Sequence, residues 1–168
     1  MRVVAYDPHV KKETYEHGVA CRETLHDVLR EADVLSLHVP LNETTTHLIG
    51  AQELDLLPQG ALIVNTSRGL VIDDTALLKA LDRGQVAGAA LDVLAKEWQI
   101  PQNDHPVVAY ARAHDNLLIT PHIGGACEEA IEKTGLFVIR KFEEWLNHKQ
   151  VVSRLNLSNH MSMNSEEN

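Results

Sequence analysis

The sequence predicts an α/β fold, a doubly wound parallel sheet, from three observations. Short apolar runs rich in Val, Ile and Leu alternate with amphipathic helical patterns, which is the signature of βαβ units. A length of 168 residues with 44% hydrophobic content suits one globular domain with enough apolar material for a core. Charged residues, at 23%, are ordinary for a folded chain and unlike the composition of disorder.

Arg2 to Asp7 reads as the first strand. Thr24 to Ala32 reads as a helix, because Thr24 and Asp27 stand at the spacing of a capping pair. Asp33 to Val39 (DVLSLHV) is the next strand, and Gln52 to Leu57 a short helix stopped by Pro58. Ala61 to Asn65 (ALIVN) is a buried strand entered through Gly60. Asp73 to Arg83 is an amphipathic helix, with Gly84 where a left-handed closing residue belongs. Val86 to Leu91 and Asn116 to Thr120 complete the strands. Between them Ala95 to Asp115 is too long for a plain connection, which marks it as functional or mobile. Ala126 to His148 is the longest helical pattern, and Ile131, Leu136, Ile139, Phe142 and Leu146 fall near one face suited to core or subunit packing. Val151 to Leu157 reads as a terminal strand and the polar Ser158 to Asn168 as a disordered tail.

Charge and composition exclude several classes. Fifteen Lys+Arg against 24 Asp+Glu give a formal net charge of −9, a poor match to a phosphate backbone, so no nucleic-acid partner is expected. No stretch approaches the ~20 consecutive apolar residues of a membrane span. The N-terminus meets Arg2 and Asp7 too soon for a signal peptide, so a cytoplasmic location and no membrane partner are expected. Cys21 and Cys127 each lack a neighbouring cysteine, which fits reduced thiols. The ten histidines form no H-x-x-x-H pair, and no metal site is expected.

Four polar positions stand at predicted strand ends. Asp7 precedes Pro8; an acidic residue there can accept hydrogen bonds from a ribose, although an Asp-Pro pair is also an ordinary turn. No G-x-G-x-x-G precedes it, since the chain begins at the strand itself. Arg68 follows the ALIVN strand and could fork onto a carboxylate, or pair with Asp73 or Asp74. Asp92 ends the VAGAAL strand with Glu97 five residues on, and His122 ends the last strand. Open α/β sheets bind ligands at this carboxyl edge.

On these residues the sequence resembles the D-isomer-specific 2-hydroxyacid dehydrogenases, and within them the D-3-phosphoglycerate dehydrogenase branch. The matching blocks are VVAYDP (Val3 to Pro8), ADVLSLHVPLNETTTHLIG (Ala32 to Gly50), GALIVNTSRGLVIDDTALLKAL (Gly60 to Leu81), GQVAGAALDV (Gly84 to Val93) and NLLITPHIGG (Asn116 to Gly125). They come in the family's order and cover roughly residues 1 to 150, the expected partial NAD-binding domain with its return helix 126–148.

The resemblance implies a Rossmann-like domain that uses NAD and acts on a small 2-hydroxy or 2-keto acid. It implies that Arg68 holds the substrate carboxylate, that His122 is the general acid/base and that Glu97 hydrogen-bonds and orients it. It further implies Asp7 as the ribose ligand, Asp92 near the nicotinamide carboxamide, and Val39, Thr66, Ser67, Arg68, His122, Gly124 and Gly125 as cofactor-binding positions. A homodimer through the nucleotide domain is implied, and the strand 151–157 belongs to the substrate domain of the family.

Two departures accompany the match. WQIPQNDHPVVAYARA (Trp98 to Ala113) is longer than most members carry, and Cys127-Glu128 replaces a small residue and Thr. The resemblance also implies that the substrate segment, first strand and glycine loop are lacking, with Met1 corresponding to an internal methionine. In strand order 3-2-1-4-5-6 the loss is central, and it is expected to part Arg2 to Asp7 from Ala61 to Asn65. Activity of the chain itself stays open against two rivals: a non-catalytic NAD-binding or dimerisation module, and an inactive fragment of a truncated gene.

Overall fold

Val, Ile, Leu and Ala at alternate positions supply one face that must leave water, and helices of matching amphipathic pattern cover it. In the computed structural model this yields parallel strands with helical crossovers. The structure describes residues 1–10 and 18–162, with side chains through residue 148. The predicted DVLSLHV, ALIVN, VAGAAL and NLLIT runs become β3 (Val34–Leu37), β4 (Ala61–Asn65), β5 (Val86–Leu91) and β6 (Leu117–Ile119). They form one sheet in the order β3-β4-β5-β6, while β1 (Val4–Ala5) pairs in parallel with β2 (Ala20–Cys21) in a separate sheet. Every pairing between these strands is parallel.

Each helix starts and stops where its local chemistry dictates. α1 (Leu25–Glu31) is capped by Thr24, whose hydroxyl accepts the Asp27 N–H at 3.2 Å. α2 (Ala51–Leu56) ends ahead of Pro58. α3 (Asp74–Asp82) is capped by Asp73, whose carboxylate accepts the Ala76 N–H, and Gly84 follows at φ +70°. α4 (Pro106–Ala113) opens with proline at its first position. The core lies on one face of the large sheet, where Leu35, Leu37, Ile63, Ala89 and Leu91 meet Leu29, Leu54, Leu77, Leu81 and Val107 from the helices.

The chain divides into two compact units, Met1–Ile123 and Gly124–Asn168. In the second, α5 (Glu128–Ser162) runs for 35 residues. Ile131, Leu136, Ile139, Phe142 and Leu146 on it are exposed.

Four expectations are corrected. The strand parted from β1 at the sheet edge is β3, not Ala61 to Asn65, because β3 already pairs with β4 and shields it. Ala95 to Asp115 contains helix α4 with buried Val107 and Val108, so it is a packed connection. Val151 to Leu157 lies inside α5 instead of forming a strand; no Gly or Pro after Gly135 interrupts the helical run. The helix also takes in Ser158–Ser162, the start of the expected tail, and the rest of that tail lies outside the described residues. Strand β2 is an addition, too short to show a period.

Candidate active site

Parallel register sets the carboxyl ends of the strands in one row. Leu37, Asn65, Leu91 and Ile119 are successive partners across β3, β4, β5 and β6. The residues that follow each of them therefore leave the sheet together at one edge. Thr66 to Arg68, Asp92 to Glu97 and Thr120 to His122 are those residues.

The turn after β4 is built on Asn65. Its buried side chain accepts the Ser67 N–H at 3.0 Å and the Ser67 hydroxyl at 2.8 Å, and donates to the Arg68 carbonyl at 3.0 Å. Ser67 is thus buried with its hydroxyl turned inward, committed to the turn, whereas Thr66 and Arg68 are exposed. The Arg68 guanidinium donates to the Ser67 carbonyl at 2.6 Å. Gly69 then passes so close to the next loop that a Cβ there would lie 2.0 Å from the Leu94 carbonyl carbon and 2.3 Å from the Ala95 nitrogen. Only glycine allows that approach.

The loop after β5 brings in Glu97. Its Oε2 accepts the Leu94 N–H at 3.2 Å, and its Oε1 accepts from His122 Nδ1 at 2.6 Å. Glu97 follows Lys96, which sits at φ +54°, and His122 itself sits at φ +55°. Both loops that meet at this pair carry a non-glycine residue in the left-handed region, which costs energy and persists only where neighbours enforce it. For His122 the enforcement is visible. The buried Asp92 carboxylate accepts the Ile123 N–H at 3.0 Å and the Thr120 hydroxyl, so it grips the turn on both sides of the histidine. The His122 N–H donates to the Thr120 carbonyl at 3.0 Å. The exposed Trp98 ring lies 6.5 Å from the imidazole.

Sequence reading missed His105. It is 2% exposed; Nδ1 accepts the Val107 N–H at 3.3 Å, and Nε2 lies 2.8 Å from the Ala95 carbonyl. Histidine before an N1 proline and an apolar run was the available signal. Asp74, 4.0 Å from His105, is held above the usual carboxylate range, chiefly by burial.

The expected cofactor positions fall as follows. Asp7 is exposed just beyond β1 and accepts the His9 N–H at 2.8 Å. Val39 follows β3, half-buried against the core. Arg68, Glu97 and His122 all lie at the carboxyl edge, and the latter two are in contact. Asp92 is engaged with the histidine turn. Gly124 and Gly125 open the second unit and are exposed.

A parallel α/β sheet with a carboxylate-held histidine and an exposed arginine at its carboxyl edge has the frame of a nucleotide-binding domain of the dehydrogenase class. The profile of "D-isomer specific 2-hydroxyacid dehydrogenase, NAD binding domain" matches residues 1–124, and the chain belongs to that family. It is 36% identical over 160 residues to D-3-phosphoglycerate dehydrogenase of Methanocaldococcus jannaschii, which covers 95% of this chain and 29% of the relative. The Escherichia coli K12 D-3-phosphoglycerate dehydrogenase is 42% identical over 132 residues, 79% of this chain and 32% of its own. Among solved structures, the NAD-complexed D-isomer specific 2-hydroxyacid dehydrogenase from Lactobacillus delbrueckii ssp. bulgaricus superposes with a TM-score of 0.69 at 33% identity, covering 83% of this chain and 46% of that one. The chain thus spans about a third of the curated relatives it matches. Among the described residues, no helix is long and apolar enough to cross a membrane.

Proposed function

We propose that this domain serves the NAD-linked interconversion of a D-2-hydroxy acid and its 2-keto acid, with a substrate of the 3-phosphoglycerate type. The observation that carries the reading is the 2.6 Å hydrogen bond from His122 to Glu97 at the carboxyl edge of the sheet. The residues present fit NAD at its two ends. Asp7, exposed beyond β1, would accept the ribose hydroxyls, with Val39 and Thr66 lining the path and Asp92 toward the nicotinamide. NAD, when bound, supplies the acceptor for the hydride that leaves C2.

The chain's own residues handle the proton and the carboxylate. Glu97 takes the Nδ1 proton in its hydrogen bond, which leaves Nε2 of His122 to accept the C2 hydroxyl proton as the hydride departs. In the reverse direction Nε2 returns that proton to the oxygen. The negative carboxylate beside the ring balances the charge it gains. Arg68 offers a planar fork to the substrate carboxylate from the neighbouring strand end. The long apolar row of α5 serves a homodimer in this reading, as a subunit contact.

The test uses the longest in-frame protein that contains these 168 residues. NADH formation is followed with D-3-phosphoglycerate and with other D-2-hydroxy acids. His122→Ala should lower kcat by roughly 10²–10⁴-fold while NAD binding persists. NAD binding with no turnover of any acid would instead identify a binding module.

A further inference from the structure

We propose that His105 is a positioning residue for the Glu97–His122 pair, acting through the backbone of Leu94 and Ala95. This rests on reading that pair as the proton-transfer couple. This two-residue stretch of backbone is the common anchor of three site segments. Gly69, which follows Arg68, packs onto it at a distance that excludes a Cβ. Glu97 Oε2 accepts its Leu94 N–H at 3.2 Å. His105 Nε2 reaches the Ala95 carbonyl at 2.8 Å. One residue later the chain turns through left-handed Lys96 to deliver Glu97.

The tautomer of His105 follows from its partners. Nδ1 accepts the Val107 N–H, so the proton sits on Nε2 and donates to Ala95. The ring thereby caps α4 with one nitrogen and holds the Glu97 loop with the other. Because His105 is buried, neither bond is replaced by water when it is lost. Asp74 at the start of α3 is 4.0 Å from Nε2, close enough to favour the N–H pointing outward from α4. A purely structural histidine would cap the helix and nothing more; this one also fixes the carbonyl two residues before the carboxylate that orients His122.

The two bonds can be separated by substitution, since the amide of Asn overlays Nδ1 and that of Gln overlays Nε2. In the 168-residue chain, the imidazole ¹⁵N spectrum of His122 at alkaline pH reports whether Nδ1 still holds its proton against Glu97. His105→Gln should keep that signature and lower Tm through loss of the cap. His105→Asn should keep the cap yet lose the Nδ1-protonated form of His122. If both variants fold and leave the His122 signature unchanged, or if both abolish it equally, His105 does not position the pair. The readout needs no turnover, so the proposal can fail while the dehydrogenase reading stands, and the reverse. In the protein that shows turnover, His105→Asn should depress kcat more than it raises KM for the acid.

Discussion

Single residues in this site are held by backbone geometry more than by side-chain size. Gly69 is the sharpest case, because any side chain there collides with the Leu94–Ala95 backbone instead of a flexible group. Gly69→Ala should therefore destabilise by about 3 kcal/mol, the upper end of ordinary overpacking, as read from urea unfolding. A loss below ~1 kcal/mol would show that the two loops yield easily. Asp74 supplies a second test at this scale. Burial raises its folded pKa above the ordinary 3.8, so the folded state favours the protonated form. Its contribution to stability is then fully present below the unfolded value and is lost as pH rises through the folded one. Asp74→Asn, which keeps the shape without a charge to desolvate, should stabilise the domain at neutral pH. That advantage should shrink as pH falls toward 3.8, a trend that chemical denaturation at several pH values would show.

Among the elements, the small β1-β2 sheet is joined to α1 by ion pairs. Arg22, just past β2, forks onto Glu31 at the end of α1 with bonds of 2.6 and 2.8 Å, and Arg2 reaches the same carboxylate at 2.9 Å. The Arg22 hydrogen bond holds the Glu31 carboxyl below its ordinary value of 4.5. A depressed carboxylate stabilises above its unfolded pKa, and that contribution disappears as pH falls through the folded one. Hydrogen exchange at Ala20 and Cys21 should accelerate below pH 4.5 before exchange in β4 does, and Arg22→Ala should erase the difference. What the sequence revealed about elements follows from their length and patterning. ALIVN and VAGAAL are strong apolar runs that begin within two residues of a Gly, and their strand limits agree with the structure residue for residue. β2 has only two residues and no alternation to detect. α4 was legible in principle, from a proline at N1 and apolar Val107, Val108 and Ala111, yet its helical period was hidden by the polar run before it. The candidate site was legible as residue types at strand ends. Its left-handed turns and the His105 anchor were not, because contacts across ten or more residues leave no local pattern.

Across the whole molecule, one face of the four-stranded sheet is packed and the other is open. Val34, Leu62 and Leu118 point to the open side and are 51%, 45% and 63% exposed; Val34 pairs with Leu62, and Leu118 with Ala90, which pairs in turn with Val64. Helices cover only the opposite face of this sheet among the described residues of the first unit, so the doubly wound arrangement has just one of its two layers here. β1 and β3 belong to different sheets and each leaves one edge unpaired among the described residues, and strand edges of this kind template pairing with other chains. An apolar sheet face beside open edges favours association, because the alternative keeps β-branched and leucine side chains in water. The polypeptide of residues 1–168, purified alone, should sediment as oligomers whose size grows with concentration. Leu62→Lys with Leu118→Lys should shift it toward monomer while changing stability by no more than about 1 kcal/mol, since both side chains are already exposed. If the double variant associates as strongly as the parent, the sheet face is not what holds the copies together, and Val34→Lys on the edge strand β3 becomes the discriminating substitution. A monodisperse parent chain would overturn the argument at its root, by showing that the open face and edges are satisfied within one molecule.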